Sequence, residues 1–385
     1  MNRILFAAGG TAGHIEPAWA VSQVWLQRFP GDDLAFLGTK SGLEVDLIPN
    51  RNGKLFLIPK VVAPRKLEIG LITFPFRMLN SIFKTLSIVS NFDLVVGFGG
   101  YVSASAYLAA FILRKPIVIH EQNAKIGLAN RLGARFAKSV AVAYPDTAKE
   151  LNGSEVVGNP LRESIVSAAL SAEKDWQRAR ELAKDNLHVS GPLILVTGGS
   201  SGSKAINQVI SEADFKSCTV IHAVGKANEL PKGNDMYRPV AYIEDMATAL
   251  LAADLVISRS GALAVSEFAA LGKYALFIPL PIGNGEQELN ASELVAAHKA
   301  ELISQREFTT TWLEANLKRL LSEGSPNSYG TILNSAAYTE SIINTHVRCE
   351  EQFILFVEKI YHFNGYQHQP NHEYVWRAAC HSEIR

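Results

Sequence analysis

The residues between Leu255 and Asn290 bring together three kinds of binding chemistry within one strand–helix–strand unit. The apolar run Leu255–Ile257 ends at Ser258-Arg259-Ser260-Gly261, and a helical pattern opens at Ala262 with Glu267 in its second turn. A helix start offers unpaired N–H groups and a partial positive charge, so this turn suits a phosphate. An ionised Glu267 only accepts hydrogen bonds and suits the vicinal hydroxyls of a ribose. A second apolar run, Tyr274–Pro279, ends in Gly283-Asn284-Gly285-Glu286-Gln287, and Asn290 follows. Gln287 and Asn290 both donate and accept, which suits sugar hydroxyls. Phosphate, ribose and sugar together point to a nucleotide-sugar site.

Other groups lie at strand ends. Gly9-Gly10-Thr11-Ala12-Gly13-His14 follows the first strand-like run. Its glycines permit close backbone approach, so it is either a diphosphate cradle or an ordinary strand-to-helix turn. The spacing is not G-x-G-x-x-G, and no acidic residue clearly caps the second strand, which disfavours a nicotinamide cofactor. His14 titrates near neutrality and could take a proton from an attacking hydroxyl; the alternative is a helix-start histidine that binds phosphate or caps. Phe98-Gly99-Gly100-Tyr101 forms another glycine turn, and His120-Glu121-Gln122-Asn123 ends the next strand. His120 reads as a buried, loop-shaping group; Glu121 and Asn123 are better placed to touch a ligand. Arg162, in Gly158-Asn159-Pro160-Leu161-Arg162, either reaches the nucleotide or makes an interdomain ion pair. Asp32-Asp33 and His368-x-x-x-His372 lack a metal-site context, so no metal and no cofactor is expected.

These groups need a scaffold of parallel strands. Apolar runs alternate with helical patterns: Arg3–Ala8, Leu34–Leu37, Leu55–Pro59, Leu94–Val96, Ile117–His120 and Val140–Ala143, then Leu193–Thr197, Cys218–Val224, Leu255–Ile257, Tyr274–Pro279 and Glu301–Ile303. Continuous apolar strands between helices mean sheets covered on both faces, an α/β chain. Leu193–Thr197 leads into Gly198-Gly199-Ser200-Ser201-Gly202, as Ile4–Ala8 leads into Gly9–Gly13. Two Rossmann-like parallel-sheet domains facing a cleft follow, with residues 1–157 as the first, 158–345 as the second and 346–385 as an atypical tail. Within the tail, Glu351–Ile360 reads as one amphipathic helix, with poor order expected beyond it.

The chain has 385 residues, 48% of them hydrophobic, enough for two cores. Lys+Arg and Asp+Glu are both 37, so global charge gives no reason to expect nucleic acid. Three unpatterned cysteines (Cys218, Cys349, Cys380) fit a reducing compartment. No apolar run reaches a membrane span. Arg65-Lys66 followed by Phe74, Phe76, Arg77, Leu79, Ile82, Phe83, Lys84 and Leu86 reads either as an interfacial patch for anionic lipid or as a helix packed on the first domain.

Seven segments, GGTAGHIEPAWAV, GFGGYVSASA, HEQNAKIGLANR, GNPLR, GGSSGSKAIN, SRSGALAVSEFAALG and GNGEQELNA, resemble, in order, the MurG family of peptidoglycan glycosyltransferases (glycosyltransferase family 28) over residues 1 to 340. The resemblance implies the two-domain GT-B fold and an inverting transfer. N-acetylglucosamine would pass from UDP-N-acetylglucosamine to the C4 hydroxyl of lipid I, undecaprenyl-diphospho-N-acetylmuramoyl-pentapeptide. It also implies a peripheral place on the cytoplasmic face of the cell membrane, with cell-wall synthesis or division proteins as partners. The acceptor set implied is Thr11, Gly13, His14, Gly99, Gly100, Tyr101 and Asn123, with His14 or a group near Glu121 as base. The implied donor set is Arg162, Ser200, Ile243, Ala262, Leu263, Ala264, Glu267 and Gln287, beside Asn290. The chain departs from the family pattern at Ala12, at Ser200–Ser203, at Ala264 (commonly Thr) and at Glu288 (commonly Gln). A UDP-N-acetylglucosamine 2-epimerase of the same fold and a non-catalytic donor-binding scaffold are the alternatives.

Overall fold

A computed structural model describes residues 1–61, 70–216, 218–281, 284–324 and 349–362. Arg65, Lys66, His368 and His372 lie outside them. The strands are β1 (Arg3–Ala7), β2 (Asp33–Thr39), β3 (Lys54–Ile58), β4 (Leu94–Gly97), β5 (Ile117–Glu121), β6 (Ser139–Val142) and β7 (Glu155–Val156), followed by β8 (Leu193–Thr197), β9 (Thr219–Ala223), β10 (Tyr237–Val240), β11 (Leu255–Ser258), β12 (Ala275–Phe277) and β13 (Ala300–Leu302). They form two sheets, ordered β3-β2-β1-β4-β5-β6-β7 and β10-β9-β8-β11-β12-β13. Every pairing is parallel. Helices cover both faces, so the central strands are apolar on both sides: Ile4, Leu5, Leu94 and Val95 in one sheet and Ile194, Leu195, Val256 and Ile257 in the other are fully buried.

Strand order reverses between β1 and β4 in the first sheet and between β8 and β11 in the second. Ligands bind at such switch points, beyond the strand C-termini. The turns leaving these four strands are Gly9–Thr11, Phe98–Gly100, Gly198–Ser203 and Arg259–Gly261. The sheet topology thus delivers the glycine turns and the Gly261 turn to the sites where a ligand would sit.

The helix Cys349–His362 returns to the first domain. Phe353, Ile354, Phe356 and Val357 join the core of Phe6, Val21, Trp25, Phe36 and Phe98, and Glu358 pairs with Arg28 at 2.6 Å. Phe353 packs edge-on against His120 and Phe98, ring centroids 5.1 and 5.7 Å away. The last described segment therefore supports the tips of β4 and β5 from below.

Candidate active site

The first helix, Ala12–Arg28, carries His14 in its first turn. Its Nδ1 lies 3.1 Å from the Thr11 hydroxyl. The half-buried imidazole sits against Gly99 and Gly100 of the neighbouring turn. Gly100 is held at φ +81, and a Cβ there would meet the Gly9 carbonyl oxygen at 2.4 Å, so the two turns touch back to back. Desolvation lowers the His14 pKa to about 4, against an opposing pull from Glu44. The imidazole is therefore neutral at pH 7, the form a base requires.

Glu44 escaped the sequence reading. It is fully buried, accepts from the Gly10 N–H at 2.9 Å and the Thr39 N–H at 2.7 Å, and fills the space left by Gly38 and Gly42. A carboxylate thus occupies the first glycine turn from behind and uses one of the amides that a phosphate would want. The signal was present as an acid just after the glycines at the end of β2, but its partner Gly10 is 34 residues away.

Glu121, at the tip of β5, receives the N–H groups of Asn123 and Gly127 and the side-chain amides of Asn123 and Asn130, at 2.9 to 3.1 Å. Burial pushes its pKa up while these donors pull it back. With four donors converging on it, the carboxylate organises the 121–130 loop. Asn123, Ala124 and Lys125 of that loop face the other domain. His120 behaves as read from the sequence: buried, bonded through Nε2 to the Gly158 carbonyl at 2.8 Å, and lowered to about 4 by burial. Tyr101, half-exposed, starts the helix beyond Gly100.

In the second domain, the helix Ala262–Ala270 starts at Gly261 with no side chain capping its N–H groups. Ala262 is buried; Leu263 and Ala264 are half-buried. Glu267 is paired with Arg162 in a bidentate bridge, Nε–Oε1 2.7 Å and Nη2–Oε2 2.8 Å. Burial works against the guanidinium charge, but the carboxylate outweighs it and holds the Arg162 pKa above the usual arginine range. Of the two sequence readings of Arg162, the ion pair is present, but it lies within the second domain and its partner is the candidate ribose residue. Ser200 lies half-buried in the Gly198–Gly202 turn, and Ile243 is buried at the domain's core. Gln287 is half-buried, its Oε1 accepting the Leu280 N–H at 3.0 Å.

Asn290, expected at the donor sugar, stands at the seam between the two domains. It is 1% exposed, and its amide spans the domains. Oδ1 accepts the Ala124 N–H at 2.8 Å, and Nδ2 donates to the Ser260 carbonyl at 3.2 Å and lies 3.4 Å from Asn123 Oδ1. Asn159 makes a second tie, its Nδ2 donating to Gln122 O and to Ser266 Oγ. Ala262 packs with Ala124, Ala143 and Tyr144 across the same seam.

The comparisons with known proteins bear on this arrangement. The Glycosyltransferase family 28 N-terminal domain matches residues 4–142, and the family 28 C-terminal domain matches residues 193–339. A Streptomyces coelicolor protein, the UDP-N-acetylglucosamine–N-acetylmuramyl-(pentapeptide) pyrophosphoryl-undecaprenol N-acetylglucosamine transferase, is 43% identical over 83% of this chain and 89% of its own length. The chain belongs to glycosyltransferase family 28. A Corynebacterium diphtheriae family member of the same name is 41% identical over 87% of this chain and 91% of its own length. Among solved structures, Acinetobacter baumannii MurG aligns with TM-score 0.63 and 27% identity, covering 93% of this chain and all of its own. A Neisseria meningitidis UDP-GlcNAc 2-epimerase aligns with TM-score 0.61 at 16% identity, a likeness of fold. Two departures from the family pattern are readily accommodated: Ala12 is already helical, and Ala264 keeps its backbone amide. Glu288 is exposed beside Gln287.

Among the described residues no helix is long and apolar enough to cross a membrane.

Proposed function

We infer that this protein transfers N-acetylglucosamine from UDP-N-acetylglucosamine to the C4 hydroxyl of lipid I, giving lipid II for peptidoglycan synthesis. The observation that carries the reading is the 43% identity to the Streptomyces coelicolor transferase over nearly all of that enzyme's length. The geometry supports it. The uncapped N-terminus of Ala262–Ala270 meets the donor diphosphate with the amides of Ala262, Leu263 and Ala264. Glu267 accepts from the ribose hydroxyls; burial raises its pKa and Arg162 pulls against that rise, adding positive charge beside the diphosphate. Ile243 offers backbone groups to the uracil, Ser200 a hydroxyl to the diphosphate, and Gln287 its amide to the sugar.

The acceptor lies against Thr11, Gly13, His14, Gly99, Gly100, Tyr101 and Asn123. Its C4 hydroxyl attacks the anomeric carbon as the bond to UDP breaks on the opposite face, so one displacement turns α into β. Neutral His14 takes the hydroxyl proton. Negative charge growing on UDP falls on the helix amides and Arg162. Glu121 acts by holding Asn123 and its loop in place.

Placement at a membrane surface follows from the acceptor's lipid. The helix Gly70–Val89 presents Phe76, Leu79 and Phe83, which are 72%, 52% and 69% exposed and spaced along one face, with exposed Arg77 and Lys84 beside them. Such a face suits partial insertion among anionic headgroups. Co-sedimentation with anionic vesicles, weakened by Phe76→Ser with Phe83→Ser, tests the placement; unchanged binding removes it.

The deciding experiment for the activity is transfer of labelled N-acetylglucosamine to a lipid I analogue, with product configuration read by NMR. A β-linked disaccharide is expected. Conversion of free donor to its 2-epimer, without transfer, would replace this reading with the epimerase.

A further inference from the structure

Lipid I carries a diphosphate between its polyprenyl chain and its sugar, and none of the residues assigned to the acceptor is a cation at neutral pH. The first glycine turn is occupied from behind, because the Glu44 carboxylate already takes the Gly10 N–H. Two ends bound the place of this diphosphate: the lipid chain belongs at the exposed face of Gly70–Val89, and the sugar hydroxyl must reach His14. Pro59-Lys60, just past the end of β3, touches the elements at both ends. Arg77 Nη2 donates to the Lys60 carbonyl at 3.2 Å, and the buried Ser81 hydroxyl lies 3.3 Å from the Pro59 carbonyl, so the helix of the lipid face holds this segment. Ser81 Oγ is also 2.9 Å from Ser105 Oγ, in the helix that Tyr101 begins. Lys60 Nζ stands 5.5 Å from the centroid of the Tyr101 ring. Tyr101 in turn follows Gly100, against which the His14 imidazole sits. Lys60 and Arg77 are both exposed, and among the described residues no carboxylate pairs with either.

We propose that Lys60 and Arg77 form the subsite for the acceptor's diphosphate, between the lipid face and His14. The Lys60 ammonium brings three rotatable donors, and the Arg77 guanidinium has donors left after its bond to the Lys60 carbonyl. The Tyr101 ring attracts the ammonium through its negative face without neutralising it, as a carboxylate would. Two unpaired cations joined through one carbonyl repel each other, so they gain most from a ligand that presents two phosphates to both. A diphosphate bound there leaves the chain toward Phe76, Leu79 and Phe83 and the sugar toward Tyr101 and His14. The two diphosphates of the reaction are then met differently: the donor's by peptide amides at a helix start, the acceptor's by side-chain cations on a segment tied to the lipid face.

The subsite rests on the transferase reading, and the test separates the two. Lys60→Met, which keeps the stem and drops the charge, and Arg77→Met are compared with the wild type on a short-chain, water-soluble lipid I analogue without vesicles. In each variant the acceptor KM should rise about 5- to 20-fold, with kcat and the KM for UDP-N-acetylglucosamine within about twofold of wild type. Lys60→Arg should restore most of the loss at its position. On an analogue with a neutral link in place of the diphosphate, wild type and Lys60→Met should have the same KM. A wild-type KM in either variant on the diphosphate analogue overturns the subsite, as does an equal penalty from Lys60→Met on both analogues. Anionic vesicles without acceptor separate the two sources of phosphate: Lys60→Met should co-sediment as the wild type does, and a loss confined to vesicles makes Lys60 a headgroup contact and overturns the subsite. If wild-type protein transfers nothing, the proposed function falls, and the subsite is judged by titration with geranyl diphosphate. It should bind the wild type more tightly than Lys60→Met; equal binding, or none, overturns it.

Discussion

The turns at Gly9–Gly13 and Gly198–Gly202 share a glycine-rich pattern and a place at a strand tip, but opposite charges stand behind them. Behind the first is Glu44, whose carboxylate takes the Gly10 N–H. Behind the second is Arg259, 8% exposed, whose guanidinium donates to Ser203 Oγ, Gln305 Oε1 and the carbonyls of Ile278 and Pro279. A diphosphate is repelled by the first arrangement and attracted by the second. The difference supports the proposed placing of the donor in the second domain, for which the near-repeat in sequence gives no ground.

Arg259→Met should have the largest effect on this contrast. It removes the cation and leaves four buried acceptors without their donor, a loss of several kcal/mol. UDP affinity should fall about 100-fold or more, with Arg259→Lys in between because it restores charge without the fork. Isothermal titration with UDP measures this, and an unchanged affinity would break the comparison. His14→Ala comes next: kcat should drop about 10²- to 10⁴-fold with UDP affinity unaltered, because the imidazole belongs to the other half. A variant that keeps full turnover removes His14 from the base role. Glu44→Gln should be milder, about tenfold on acceptor KM. It sharpens the contrast if UDP affinity holds steady, whereas tighter UDP binding would mean that the first turn also sees the diphosphate.

The smallest effects are those of pH. With His14 lowered to about 4, the acid limb of kcat/KM should lie near pH 4 rather than 6.5. For stability, buried His120 and His222 are both lowered to about 4 by desolvation. Between pH 6.5 and 4 the unfolded chain binds protons that the folded one refuses, so stability falls as pH drops through that window. The loss is about 2 kcal/mol for each histidine at pH 5 relative to pH 7. Urea midpoints at the two pH values measure it, and equal midpoints would contradict it.

Most of the architecture was legible because buried parallel strands are nearly uniform in hydrophobicity. The two strands not anticipated are of another kind. Glu155–Val156 is two exposed residues at a sheet edge, and Tyr237–Val240 is half-buried and contains Pro239, which only an edge tolerates. Glycine turns and chemically conspicuous residues such as His14 and Glu267 were legible from local spacing. Glu44, Asn159 and the bridging role of Asn290 were not, because each is defined by a partner far away in sequence: Gly10, Ser266 and Ala124. An amide read by its chemistry alone suits a sugar as well as a neighbouring backbone, and the fold shows which backbone groups it meets.

The helix Cys349–His362 carries a consequence for how the protein is made. Phe353, Ile354, Phe356 and Val357 complete the hydrophobic interior of the N-terminal half, yet the ribosome delivers them only after the strands of the second domain. At roughly 5–20 residues per second, the wait after residue 157 is on the order of 10–40 s. During that interval the nascent N-terminal half exposes the bare surface around Phe98 and Val21, which makes it a client for holding chaperones. A frameshift late in the reading frame would then produce a chain that aggregates, even with every residue of the cleft encoded.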